Sequence, residues 1–195
     1  MHWKQIFWLP NILTLSRVIF ALPAILLFHS GNLLLSYILF GFIFLTDFLD
    51  GMFARRMGLV SELGSILDPV CDKILVLSLF TYFYAIDLVP IWYYGLILLR
   101  DISQLTSVPV LLFWKKIQFK VKPKLIPKWG TALNFILLAI LPSQYFLPYF
   151  LYEILVLDGI LYPLLFISAS IEIYILVTFL PRFYQIYIGS HDTFE

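Results

Sequence analysis

Long apolar stretches broken by short polar clusters occupy almost the whole chain. They lie at roughly 12–28, 33–55, 66–86, 91–113, 130–150 and 156–180, each near the ~20 residues a helix needs to cross the hydrocarbon core of a bilayer. The breaks are "HSGN" at 29–32, "RRMGLVSELG" at 55–64, "DLVP" at 87–90, "KKIQFKVKPKLIPKWG" at 115–130, and a region around "PYFLYE" at 148–153. The runs are too long for strands of a membrane barrel and lack their alternation. The pattern predicts an all-α fold, a polytopic membrane bundle of six transmembrane helices forming one domain over residues 1–195. Before it, "HWKQIFWL" at 2–9 reads as a short N-terminal interfacial segment anchored by Trp3, Phe7 and Trp8. "LPN" at 9–11 interrupts any early apolar run and no small-x-small site follows, so no cleaved signal peptide is expected.

Composition strengthens this picture. The chain is 62% hydrophobic and 13% charged, with a mean hydropathy of +0.94, which excludes ordinary water-soluble packing. Its net charge of +1 gives no reason to expect a nucleic-acid partner; the bilayer is the expected partner. The basic residues are unevenly placed. Lys4 and Arg17 flank the first span, Arg55 and Arg56 follow the second, six lysines from Lys115 to Lys128 fill the fourth break, and Arg182 follows the sixth span. By the positive-inside rule both termini are cytoplasmic, as are the second and fourth loops. The single cysteine, Cys71, rules out an intrachain disulfide and reads as a small packing residue.

Four aspartates stand out against this apolar background. In a helical second span Asp47, Asp50, Gly51 and Ala54 fall at i, i+3, i+4 and i+7, on one face. Asp68 and Asp72 stand at i and i+4 early in the third span, with Gly64 one turn before Asp68. The connecting loop is short, so antiparallel helices would bring the four carboxylates together at the cytoplasmic end. Such a group in low dielectric needs a cation between its members. Carboxylate oxygens suit magnesium or manganese, and His2, His29 and His191 all lie outside the spans, offering no zinc site. Two ions sharing these ligands make a template for phosphoryl transfer. Gly51 and Ala54 leave room for a ligand beside the metals, and Arg55 offers a forked donor to phosphate oxygens. The assembly reads as a diphosphate site.

The spacing Asp47-x2-Asp50-Gly51-x2-Ala54-Arg55-x8-Gly64-x3-Asp68-x3-Asp72 resembles the signature of the CDP-alcohol phosphatidyltransferase family, with every defining position filled over 26 residues. "LPNILTLSRVIFALP" at 9–23 is similar to the first helix of members that make phosphatidylglycerophosphate or cardiolipin. "KPKLIPKWGTALNF" at 122–135 is similar to the segment before the fifth helix of the cardiolipin synthase branch. Phosphatidylglycerophosphate synthases typically carry Arg-Glu in helix four and Gly-Lys-x-Lys-Thr before helix five. This chain has Arg100-Asp101 and Pro127-Lys128-Trp129-Gly130-Thr131 there, so glycerol 3-phosphate and phosphatidylglycerol both stay open as acceptors.

The resemblance implies a six-helix membrane fold and transfer of a phosphatidyl group from CDP-diacylglycerol to an alcohol, with release of CMP. It implies that Asp47, Asp50, Asp68 and Asp72 serve two magnesium or manganese ions, with Asp72 also the general base. Gly51, Ala54, Arg55 and Gly64 would border the cytidine diphosphate. Asn11 and Thr14 either contact nucleotide or simply form a polar helix start. Arg17 and Lys128 are candidate acceptor ligands. Arg100, costly inside a span, is either an acceptor-phosphate ligand or the partner of a nearby carboxylate. Glu172, deep in the sixth span, is a neutral hydrogen-bonded acid or a paired one with a packing role. The "SAS" run at 168–170 could support close helix contact in a homodimer. Transfer to inositol phosphate or serine is the alternative within the same chemistry. From a different class, intramembrane acids in a helix bundle could line a cation channel or transporter.

Overall fold

The computed structural model describes residues 9–57, 62–110, 120–121, 125–145, 147–189 and 193–194. All but Leu9 of the expected interfacial segment at 2–9, and half of the lysine-rich break (115–119 and 122–124), lie outside these residues. The described chain is almost wholly helical. In order come α1 (Leu9–His29), α2 (Leu33–Met57), α3 (Glu62–Ala85) and α4 (Ile91–Pro109). A two-residue strand β1 (Lys120–Val121) precedes α5 (Leu125–Ile140), the short α6 (Tyr149–Leu151), α7 (Tyr162–Tyr187) and a second two-residue strand, β2 (Thr193–Phe194). The strands pair in parallel, Lys120 with Thr193 and Val121 with Phe194.

Three segments among the described residues are long and apolar enough to cross a membrane: Asn11–His29, Ile126–Tyr145 and Gly159–Tyr187. The spans expected at 130–150 and 156–180 take a different form from unbroken α-helices. α5 ends at Ile140 and tightens into a 3-10 turn over Leu141–Tyr145. Pro142 and Pro148 explain this stop, since neither can donate a backbone hydrogen bond to continue a helix. After α6 the backbone winds as a π-helix over Tyr152–Leu161 before α7 begins at Tyr162.

Contacts divide the chain into two compact units, Met1–Tyr82 and Phe83–Glu195. In the first, α1 and α2 form a hairpin. The α1 terminus is closed by Asn32 N–H to the Leu27 carbonyl and Gly31 N–H to the Phe28 carbonyl, a pattern that needs a left-handed residue at its pivot. Gly31 supplies it at φ 81°. Across the hairpin, Ser36 Oγ donates to the Ala24 carbonyl at 2.8 Å, while Phe20 meets Phe42 edge-on and Phe28 packs on Phe40. The buried positions of α1 are Asn11, Thr14, Arg17, Ala21, Ala24 and Phe28, a single stripe at helical spacing. Ile19, Leu22 and Leu26 on the same helix are more than half exposed, the apolar exterior of a helix facing lipid.

In the second unit α7 packs on both α4 and α5. Its core comprises Tyr93 and Ile97 from α4, Leu137 and Leu138 from α5, and Leu165, Ala169 and Ile175 from α7. α5 packs tightly on α7 at Gly130, where a Cβ would lie 3.1 Å from Ile175 Cδ1 and 3.3 Å from Ile171 Cγ2. Of the "SAS" residues, Ser168 and Ala169 are buried within this unit, whereas Ser170 is exposed and donates to the Phe166 carbonyl.

Candidate active site at the pairing of α1 with α3

The buried stripe of α1 begins with three polar residues, an arrangement that is costly unless partners meet them. α3 provides two. Thr14 Oγ1 donates to Asp68 Oδ1 at 2.6 Å, and Arg17 Nη1 donates to Asp72 Oδ1 at 2.7 Å. Thr14 and Arg17 are three residues apart on α1, and Asp68 and Asp72 four apart on α3, so both pairs rise along successive turns in the same chain direction. Phe28 against Tyr82 continues the series at the other end, with ring centroids 6.0 Å apart. α1 and α3 therefore run parallel, joined by two charge-bearing rungs at one end and an aromatic contact at the other.

Exposure differs across these rungs. Arg17 is 1% exposed, whereas the Asp72 side chain retains 28%. Thr14 is fully buried, Asp68 is half-buried, and Asn11 is buried one turn before Thr14. The two carboxylates are thus partly accessible while their α1 donors are buried. Hydrogen bonds to ionised carboxylates are short and strong, so each rung fixes a carboxylate oxygen as well as tying two helices.

α2 runs without interruption to Met57, so Asp47, Asp50, Gly51 and Ala54 share one helical face, as the spacing predicts. The side chains of Asp47, Asp50, Ala54 and Arg55 lie outside the described residues, and so does everything but the helical backbone of Gly51 and Gly64. Among the described residues no three potential metal ligands converge; Asp68 and Asp72 are the two signature carboxylates whose positions are described. Arg17, read from the sequence as an acceptor ligand, is the ion-pair partner of Asp72. Lys128 is exposed near the start of α5.

Arg100 belongs to the second unit, where it is buried between two carboxylates. Its Nη2 and Nε each lie 2.7 Å from Glu172, at Oε1 and Oε2 respectively, and its Nη1 lies 3.0 Å from Asp101 Oδ1. Asn134 Nδ2 donates to the same Glu172 Oε1 at 2.8 Å. The Tyr93 hydroxyl donates to Asn134 Oδ1 at 3.0 Å and bonds Ser168 Oγ at 2.8 Å. Six polar side chains on α4, α5 and α7 thus form one buried network. Of the two sequence readings of Arg100, the structure displays the carboxylate partner, and Glu172 is the paired acid. Sequence reasoning missed Tyr93 and Ser168. The available signal was Glu172 itself, since a buried acid requires several donors.

The sequence profile of the CDP-alcohol phosphatidyltransferase family matches residues 7–177 of this chain. A CDP-diacylglycerol–glycerol-3-phosphate 3-phosphatidyltransferase of Aquifex aeolicus is 38% identical over 126 residues, covering 63% of this chain and 68% of its own. A probable CMP-forming cardiolipin synthase of Drosophila melanogaster is 37% identical over 100 residues, 51% of this chain and 31% of that protein. A cardiolipin synthase (CMP-forming) and mitochondrial hydrolase fusion protein of Schizosaccharomyces pombe is 31% identical over 160 residues, 75% of this chain and 27% of that one. The chain therefore spans less than a third of the fly and fission-yeast proteins.

Proposed function

The chain belongs to the CDP-alcohol phosphatidyltransferase family, and from that premise we propose that it transfers a phosphatidyl group from CDP-diacylglycerol to a glycerol-containing alcohol, glycerol 3-phosphate or phosphatidylglycerol. The observation that carries this reading is the pair of rungs between α1 and α3, Thr14 to Asp68 and Arg17 to Asp72. They support the reading because they hold two signature aspartates on adjoining turns of α3, both partly exposed.

In the proposed reaction the acceptor hydroxyl oxygen attacks the phosphorus that bears the diacylglycerol. A new P–O bond forms there, the bond from that phosphorus to CMP breaks, and CMP leaves with the electron pair. Asp72 takes the hydroxyl proton, while Arg17 holds its other face so that the carboxylate cannot swing away. Thr14 orients Asp68 in the same manner. Asn11, Gly51, Ala54, Arg55 and Gly64 would border the nucleotide diphosphate.

Asp47, Asp50, Asp68 and Asp72 would hold two magnesium or manganese ions. The oxygen-only donors of Asp68 and Asp72 fit a hard divalent cation and not a soft one. When bound, such ions neutralise the diphosphate and the departing CMP. The reading carries with it six spans, with both termini and the site on the cytoplasmic side, supported by the distribution of Lys and Arg.

Purified protein supplied with CDP-diacylglycerol and, in turn, glycerol 3-phosphate, phosphatidylglycerol, inositol phosphate or serine tests the reading by identification of the lipid product. Phosphatidylglycerophosphate or cardiolipin is expected. An inositol- or serine-containing product would overturn the acceptor class, and absence of CMP release with all four would overturn the transfer itself.

A further inference from the structure

Within the second unit, a cavity of about 800 Å³ opens between the last turn of α3 with the residues that follow it, the start of α4, the segment joining α5 to α7 and the start of α7. It lies at the N-terminal end of α4, nine residues before Arg100, roughly 14 Å of helix from the buried network. Its lining combines aromatic faces with negative charge. Tyr84, Tyr145, Tyr149, Tyr152 and Tyr162 contribute rings, Asp87 and Glu153 contribute carboxylates, and among the described residues no Lys, Arg or His lines it. A phosphatidyl donor or an anionic acceptor has the wrong charge for such a place.

Asp87 occupies an unusual position. Leu88 N–H bonds the Phe83 carbonyl and Asp87 N–H bonds that of Tyr84, the same closure that Gly31 makes after α1. Here the left-handed pivot, at φ 60°, is an aspartate. Glycine would take this conformation without steric cost, so the carboxylate is present at the cavity wall despite the backbone, not because of it. Tyr84 is held by stacking on Tyr94, with centroids 4.6 Å apart, and Tyr152 is buried. Two of the five rings are therefore fixed. The lining residues Ile91 and Tyr149, and Phe150 and Phe166 next in sequence to lining residues, are mostly exposed, aromatic and aliphatic surface of the kind found at the level of lipid headgroups.

Rigid tyrosine faces with carboxylates nearby attract an alkylammonium ion, through the ring quadrupoles and through charge. Gln144 and the tyrosine hydroxyls add donors for a phosphate diester. We propose that this cavity, whose lining includes neither Asp68 nor Asp72, binds the ammonium-bearing headgroup of a zwitterionic phospholipid.

The test uses the full chain in a non-ionic detergent and follows its thermal midpoint as dihexanoyl phosphatidylcholine, phosphatidylethanolamine or phosphatidylglycerol is added below its micellar concentration. At a tenfold excess over Kd the zwitterionic lipids should raise Tm by about 3–6 °C, and phosphatidylglycerol should not. Asp87→Asn with Glu153→Gln should abolish the shift while leaving the lipid-free Tm in place, because asparagine tolerates the left-handed pivot and Glu153 is exposed. If the double variant fails to fold, Glu153→Gln alone should weaken the response several-fold. Equal shifts with phosphatidylglycerol, an undiminished shift in the variants, or an equal shift with free tetramethylammonium would each overturn the proposal. CMP release measured in parallel keeps this outcome apart from that of the transfer reading, which involves none of these residues.

Discussion

Arg17 reaches from α1 to Asp72 on α3, Nη1 to Oδ1 at 2.7 Å, with its guanidinium shut away from the surface and the carboxylate left partly open. A buried arginine deprived of this partner, or the carboxylate deprived of the arginine, leaves a charge in low dielectric without compensation. The pair therefore binds the helices together as well as aiming Asp72. Its two roles separate by substitution.

Arg17→Ala should lower stability by about 3 kcal/mol, toward the lower end for a broken buried pair because Asp72 keeps some contact with solvent. For a chain of this size that corresponds to a Tm fall of roughly 6–12 °C. Arg17→Lys keeps the charge without the fork, so it should recover part of the Tm and less of the CMP-release rate. A rate unaffected by either change would remove Arg17 from the site.

Thr14→Val preserves shape and deletes the hydroxyl that bonds Asp68. Losing a hydrogen bond to a charged group costs about 1.5–3 kcal/mol, and Thr14→Ser should restore most of it. CDP-diacylglycerol affinity, measured by competition with CDP, should weaken in the valine variant and recover in the serine variant. Recovery of stability without recovery of affinity would assign Thr14 a packing role only.

Asp72→Asn should keep nucleotide affinity and lose turnover by about 10²–10⁴-fold, the usual share of general-base catalysis. Raising the pH should partly restore that rate as the acceptor hydroxyl ionises. Asp47→Ala, Asp50→Ala and Asp68→Ala should abolish turnover together with divalent-cation binding, and excess chelator should do the same to the wild type. CMP release that persists in chelator contradicts the two-ion reading. Parallel loss of nucleotide binding and rate in Asp72→Asn would make Asp72 a ligand more than a base.

Glu172→Gln removes one of the two carboxylates facing Arg100. A fall in Tm is expected, with KM for the acceptor unchanged, since Glu172 bonds Arg100 and Asn134 in the protein interior. The double change Arg100→Leu with Glu172→Leu should cost less than the sum of the single changes, because Arg100 and Glu172 then vanish together, while Asp101 loses its partner equally in the single Arg100 change and the double change. A selective rise in acceptor KM for Arg100→Lys, at unchanged Tm, would instead give Arg100 direct contact with the acceptor.

The helical register of the candidate site was legible before any folding. The interval from Asp47 to Asp72 carries its own register, since residues three and four apart must share a helical face whatever surrounds them. Long apolar runs likewise predict helices, because only an internally hydrogen-bonded backbone is tolerated in lipid. Helix ends followed from local chemistry too. Gly31 marks the turn after α1, and Pro142 with Pro148 accounts for the end of α5 at Ile140, where a fifth span reaching about residue 150 was expected.

What the sequence by itself determined, then, is local: which segments are helical, which faces carry acids, and which chemistry those acids suit. The tertiary structure decided the partners. Nothing in the interval of 55 residues between Arg17 and Asp72 specifies that they meet, and Arg17 could equally have faced a substrate phosphate. The same holds for Arg100 and Glu172, 72 residues apart, whose pairing also recruits Asn134, Tyr93 and Ser168. A buried charge must find its complement somewhere, so the sequence shows that a partner exists. Which one it is depends on how the helices are laid side by side, and that is set by the sum of many weak apolar contacts along their lengths, not by the charged residues themselves.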